Sequence, residues 1–160
     1  MGKLIPLTRN REVLVDDELY DELNRYKWFT LTSSTSKSGY AARSGPRPQK
    51  QAILMHRVIM NALTGDEIDH INGNTLDNRR INLRVVTRSQ NVQNSRPQKG
   101  KYKGVSLRKG KGRWRARIML NGKLIHLGDF KTAEEAAKVY DESALFYFGD
   151  YAWCNFPRSS

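Results

Sequence analysis

The stretch Glu67-Ile68-Asp69-His70-Ile71-Asn72-Gly73-Asn74, together with Asn82-Leu83-Arg84-Val85-Val86-Thr87-Arg88-Ser89-Gln90-Asn91, decides how this chain of 160 residues is read. Its two short apolar runs, 67–71 and 83–86, have the length and composition of strands, and the polar residues between them read as a loop. Thr87 to Gln90 has the form of a capping box: the threonine side chain accepts from the backbone three residues on, while the glutamine reaches back. A helix therefore starts there. Pro97 blocks its continuation, so it ends by 94 or 95. The unit is strand, loop, strand, helix, and it is dense in Asp, His, Asn and Arg.

Upstream, Val13 to Val15, Trp28 to Leu31, Tyr40 to Ala42 and Ala52 to Leu54 are β-branched, aromatic or small apolar runs between turn residues, and they read as strands. Leu19, Leu23 and Tyr26 recur at helical spacing behind the acidic start Asp16-Asp17-Glu18. Residues 33–39 are polar and read as a loop. A second helix is expected from about Met55 to Gly65, with Met55, Ile59 and Ala62 on its inner face.

Downstream, 95–101 reads as a linker. Val105 to Arg108, Arg113 to Leu120 and Leu124 to Gly128 then read as three strands, with Asn121-Gly122 as a two-residue hairpin turn. Thr132-Ala133-Glu134-Glu135 is a second capping box opening a helix to about Phe148. Ala133, Ala136, Ala137, Tyr140 and Ala144 share one of its faces, and small residues there let a helix lie close on a sheet.

The net charge is +12 and the pI near 10, and 38% of residues are hydrophobic. A small core is affordable, and the excess of positive charge points to a polyanion partner. Anionic membrane surfaces and acidic proteins compete for that reading, so the distribution of charge has to choose. From Lys99 to Gly128 there are ten Lys or Arg and no Asp or Glu, whereas acids outnumber bases from Asp129 onward. That contrast describes a basic face on a folded unit. No window reaches the ~20 consecutive apolar residues of a membrane span, and the N-terminus lacks the apolar run of a signal peptide. A lone cysteine, Cys154, makes neither an internal disulfide nor a thiolate cluster. The expected address is a reducing cytoplasm.

Asp69, His70, Asn82 and Asn91 are the candidate chemical groups. Phosphodiester hydrolysis needs a base for the attacking water and positive charge on the departing oxygen. An imidazole with an ordinary pKa of ~6.5 can serve as the base. Asp69 offers an anionic oxygen and Asn91 a neutral one, a donor set suited to Mg2+ or Mn2+ more than to Zn2+. In a strand, Asp69 and His70 point to opposite sides. Each fragment alone reads better as turn chemistry, with side chains bonding nearby backbone; the ordered set does not.

Met55-His56-Arg57, the Ile68-to-Asn74 run, Asn82 to Thr87 and Asn91 together resemble the phage-type HNH endonucleases with a ββα-metal core, a group that includes intron homing enzymes. The resemblance covers about 54–94. It implies a metal-dependent DNA endonuclease with one Mg2+ or Mn2+ per site, Asp69 and Asn91 as metal ligands, His70 as general base and Asn82 as a brace for the loop that orients it. His56 and Arg57 sit at matching positions with no assigned role, and a lone histidine at a helix start otherwise reads as structural. Asn72 stands where the family often has Asp, and Val85 where it often has Trp.

In the run Arg113-Trp114-Arg115-Ala116-Arg117-Ile118, the arginines share one strand face and the apolar residues the other. The apolar face should pack on the alanine-rich helix. The arginine face is left to solvent or to DNA, and the absence of acid across the sheet favours DNA. Tyr102 to Val105, Trp114 to Ala116, Leu127 to Phe130, Thr132 to Ala137, Tyr140-Asp141 and Asn155-Phe156 resemble the Apetala-two/ethylene-response-factor DNA-binding domain, over about 101–157. That resemblance implies a sheet laid in the major groove, with Lys103, Ser106, Arg108, Arg113, Arg115, Arg117 and His126 at the DNA-facing positions. Several of the family's base-contacting residues differ here, so no target sequence carries over.

The expected fold class is α+β: a small N-terminal sheet and ββα-metal core, then a three-stranded antiparallel sheet packed on one helix. The expected domains are 1–95 (sheet 1–54, core 55–95), a linker at 96–101, and 102–160. The expected function is a metal-dependent HNH DNA endonuclease of homing type, a monomer that cuts one strand of duplex DNA per binding event, with no membrane partner. A non-catalytic DNA-binding regulator keeping an HNH scaffold is the alternative. An RNA-binding accessory protein is disfavoured because the charged sheet face lacks stacking aromatics.

Overall fold

Alternating apolar residues near the N-terminus build the first layer. In the computed structural model, which describes residues 2–32, 39–48, 51–97 and 101–158, β1 (Gly2–Leu7) and β2 (Arg11–Asp16) form an antiparallel hairpin. Ile5 and Leu7 of β1 face inward with Val13 and Val15 of β2. Of the two strands, only β2 is expected from the sequence. The expected loop at 33–39 lies outside the described residues except for Gly39, as does 98–100 of the linker.

Packing divides the chain into two units, Met1–Arg88 and Ser89–Ser160. In the first, α1 (Asp17–Leu23) follows β2 directly. It is shorter than its spacing suggested, and Tyr26 lies beyond it, exposed. A second sheet is formed by β3 (Phe29–Thr32), β4 (Gly39–Ser44) and β5 (Ala52–Leu54), with β4 central. Then α2 (Met55–Ile59) turns one face inward, burying Met55, His56 and Ile59. It stops well short of Gly65, and Asn61, with φ of 48°, turns the chain beyond it. Finally β6 (Glu67–His70) pairs antiparallel with β7 (Leu83–Val86), setting Asp69 opposite Arg84 and His70 opposite Leu83. The core gathers Ile5, Val13, Val15, Leu23, Trp28, Met55, Ile59 and Leu83. Trp28 Nε1 satisfies itself on Leu23 O at 2.7 Å, as a buried indole must.

The second unit opens with α3 (Arg88–Gln93), starting immediately after Thr87. The three-stranded antiparallel sheet follows: β8 (Val105–Arg108), β9 (Arg113–Leu120) and β10 (Lys123–Phe130), with β9 in the middle. Asn121 and Gly122 have φ of 49° and 75°, the pair of positive values that a type I′ hairpin turn requires. Behind the sheet lies α4 (Ala133–Phe148), whose capping box is complete, Thr132 and Glu135 each serving the other's backbone. Ala136, Ala137, Tyr140 and Ala144 are buried against Ala116 and Ile118 of the sheet's inner face. The fold is α+β, with the C-terminal sheet packed on one helix as its residue pattern indicates.

Gly104 is where that packing is tightest. Its φ is 74°, and a Cβ there would lie 2.0 Å from Cδ2 of Tyr140 and 2.7 Å from Arg117 O. The main chain crosses directly over the tyrosine ring, and Gly104 O accepts from Arg117 N at 2.8 Å. Only glycine combines that conformation with that clearance.

Candidate active site and nucleic-acid interface

The loop joining β6 to β7 is built from its own amides. Asn82 Oδ1 accepts from Asn72 N at 2.9 Å, and Asn82 Nδ2 donates to Asp77 O at 2.7 Å. Asn72 Nδ2 reaches Asp77 Oδ2 at 2.9 Å, and Asp77 is also paired with Arg79 at 2.7 Å. That arginine bond holds the Asp77 carboxyl below the usual range. The loop is anchored outward as well. Leu14 N donates to Leu76 O, Asn78 N to Leu14 O, Arg80 N to Asp16 Oδ2 and Thr75 Oγ1 to Gly39 O, all at 2.7–2.8 Å. Asn and Asp bond short-range backbone readily, which is why this composition gives a fixed loop.

The loop presents one imidazole in a set orientation. His70 is 4% exposed, with Nε2 3.3 Å from Oδ1 of the fully buried Asn78. With that oxygen as acceptor, Nε2 carries the proton and Nδ1 is the basic nitrogen. Burial lowers the His70 pKa, and the Asn78 bond and the charges of Asp69 and Asp77 oppose that shift. The ring is therefore neutral near pH 7, the state a base needs. Sequence reasoning missed Asn78. It has no pattern of its own, and only the loop's fold brings it to the ring.

Two further rings complete the surroundings. His56 of α2 stands edge-on to His70 with centroids 5.2 Å apart, and Tyr40 of β4 lies 5.3 Å from His56 and 6.1 Å from His70. His56 is buried, its Nδ1 has no hydrogen-bond partner, and burial pushes its pKa down to about 4. Read as structural from sequence, it lies beside the candidate base. Arg57 points elsewhere: its guanidinium donates to Asp66 O at 2.7 Å and Leu63 O at 2.6 Å, bracing the chain after α2.

Asp69 is buried beside Arg84, whose Nε and Nη2 reach Asp69 Oδ2 at 3.0 and 2.8 Å. The pairing follows from the register, since opposite residues on one face meet. Asn91 lies on α3 and belongs to the second unit. The described residues hold no group of three or more His, Cys, Asp or Glu that could take a metal ion. The donors present are hard oxygens, one carboxylate and one amide. Mg2+ is typically held by such a small protein set, completed by water and substrate phosphate oxygens. By donor chemistry the residues fit, with Arg84 sharing the carboxylate.

In the second unit the register sets Ser106, Arg115 and Asp129 in one row across the sheet, Arg108 opposite Arg113, and Arg117 opposite His126. The sheet is not free of acid, as its sequence reading held. A register shift between His126 and Gly128 carries β10 on through Asp129. Asp129 Oδ1 accepts from Arg115 Nε at 2.9 Å, and its Oδ2 from Arg108 Nη1 at 2.7 Å. His126 Nε2 lies 4.0 Å from Oδ1. The arginines, Arg115 foremost, hold the Asp129 carboxyl down at about 2.

Lys103 also departs from its expected place among DNA-facing residues. Its ammonium donates to Val92 O at 3.3 Å, to Ser95 O at 2.9 Å and to Gln93 O. Burial lowers its pKa to about 8.

A histidine-bearing strand-loop-strand in the first unit and an arginine-faced sheet in the second define a chain of two modules, nuclease-like and DNA-binding-domain-like. The HNH endonuclease family profile matches residues 54–93, and that of the AP2 domain matches 100–150. An uncharacterized HNH endonuclease of Acanthamoeba polyphaga mimivirus is 30% identical over 132 residues, covering 81% of this chain and 67% of its own length. An AP2/ERF and B3 domain-containing protein of Oryza sativa is 32% identical over 143 residues, 82% of this chain and 33% of its own. An ethylene-responsive transcription factor of Arabidopsis thaliana is 44% identical over 62 residues, 38% of this chain and 14% of its own. The chain thus spans two thirds of the viral relative and a third or less of these two plant proteins. It belongs to the HNH endonuclease family and carries an AP2 domain.

Proposed function

We propose that this protein is a divalent-metal-dependent endonuclease of homing type that hydrolyses phosphodiester bonds of duplex DNA, cutting one strand per binding event as a monomer. The observation that carries the reading is His70: buried, neutral near pH 7, and fixed through Nε2 by Asn78 so that Nδ1 is its basic nitrogen. In this reading Nδ1 takes a proton from water as the water oxygen attacks phosphorus and the departing 3′ oxygen leaves. Asn82 and Asp77 keep the loop, and with it the imidazole, in place. Asp69 and Asn91 would hold Mg2+ or Mn2+, whose charge steadies the leaving oxygen. Arg84 orients the Asp69 carboxylate. The family resemblance, not contact geometry, supports Asn91 as a ligand.

The arginine face would hold the chain on DNA, phosphate contacts setting register and base edges supplying specificity. No helix of the described residues is long and apolar enough to cross a membrane. The test is incubation of supercoiled plasmid with Mg2+ or Mn2+, with metal-free and His70→Ala controls. Nicked circles from the wild type alone, only with metal, are expected. Intact plasmid with every metal, on DNA the protein binds, overturns the nuclease and leaves a DNA-binding regulator on an HNH scaffold.

A further inference from the structure

Within the second unit, α3 has no buried side chain of its own. Six residues without a buried face do not hold a helix in place, because isolated short helices are marginal in water. Contacts from outside the helix help to hold its C-terminal end. Lys103 Nζ takes the carbonyls of Val92, Gln93 and Ser95, and Gln93 O also accepts from Trp153 N at 3.2 Å. A cation on the last carbonyls of a helix meets both their unsatisfied lone pairs and the negative end of the dipole.

The lysine is in turn fixed to the body of the unit. Its backbone N donates to Asn155 Oδ1 at 2.6 Å, and its carbonyl accepts from Asn155 Nδ2 at 3.2 Å. Asn155 donates through N and Nδ2 to Asp141 Oδ1, both at 2.8 Å, and Asp141 is a buried residue of α4. The adjacent Gly104 is pressed over the Tyr140 ring of that same helix. A continuous path of hydrogen bonds thus runs from α3 through Lys103 and Asn155 to the helix behind the arginine-faced sheet. The sequence on α3 includes Asn91.

We propose that Lys103 is a positioning residue for the nuclease: it latches the helix that carries Asn91 to the sheet unit and makes no DNA contact of its own. This rests on the nuclease reading for its consequence, but not for the latch.

The test compares full-length Lys103→Met and Lys103→Arg with the wild type. A metal-free His70→Ala background is used for DNA affinity and salt dependence. Millisecond hydrogen exchange is read at the α3 amides, and single-turnover cleavage on saturating plasmid with Mg2+. Lys103→Met should leave DNA affinity and salt slope unchanged, speed α3 exchange at least about tenfold and slow cleavage at least about tenfold, with Lys103→Arg recovering most of both. Unchanged exchange with a salt slope shallower by about 0.9, the value of one phosphate contact, overturns the latch and makes Lys103 a DNA contact. Faster exchange with unaltered cleavage overturns the positioning role. A wild type that cuts nothing removes the nuclease reading and that role with it, while exchange and salt slope still decide between latch and DNA contact.

Discussion

Asp129 makes the proposed DNA-facing role of the sheet measurable. Its carboxyl, held at about 2, is ionised at every working pH, and it occupies Arg115 through one oxygen and Arg108 through the other. Asp129→Asn removes one negative charge and releases two guanidiniums on the face proposed to meet the duplex. Each added phosphate contact steepens the fall of log K with log salt by about 0.9. One recruited arginine therefore steepens the slope by about 0.9, and two by about 1.8. Between 50 and 200 mM salt, a fourfold change, these slopes translate into an extra loss of affinity of about 3-fold and about 12-fold. The assay is fluorescence anisotropy on a short duplex, metal-free and in the His70→Ala background, with thermal melting to confirm the fold. Tighter binding at 50 mM with the steeper slope is expected. A folded variant with an unchanged or shallower slope refutes the placement of DNA on the arginine face.

Gly104→Ala should destabilise the second unit by about 2–5 kcal/mol, the sum of a left-handed backbone cost of about 1–2 and an overpacking cost of about 1–3; a loss under about 1 kcal/mol in urea unfolding contradicts the close crossing over Tyr140. The folded His56 pKa of about 4 lies below its ordinary 6.5, so the stability tied to its neutral form is complete above pH 6.5 and is lost as pH falls toward 4. That loss amounts to at most about 3 kcal/mol, and His56→Gln should flatten the pH dependence of unfolding in that window; equal slopes for wild type and variant contradict it. Asn78→Ala strips His70 Nε2 of its acceptor, with an expected cost of about 1–3 kcal/mol in stability and a fall in single-turnover cleavage. An unaltered rate contradicts the orienting role.

What was legible in the sequence was local. The hairpin at Asn121-Gly122, the Thr132–Glu135 capping box and the β6–β7 pair each carry their signal within a few residues. Alternation in β9 separated arginine face from apolar face because a strand leaves it no other choice. The losses are non-local. In β1, two inward residues beside Pro6 gain meaning only when β2 pairs with them. Asp129 joins the arginines because a register shift after His126 extends β10 past its apolar stretch. Lys103 sits in a basic run, and nothing in that run shows where α3 ends. Asn78 lies eight residues beyond His70 and is turned back to its ring by the fold of the loop, while His56 reaches it from α2.

The proposed nuclease depends on His70, and the most direct measurement is single-turnover cleavage of saturating plasmid with Mg2+, comparing wild type with His70→Ala at matched DNA occupancy. Loss of the general base is predicted to slow cutting by roughly 10²–10⁴-fold while affinity for DNA stays the same. Equal rates for the two proteins, or no cutting by a wild type that binds DNA, would contradict it.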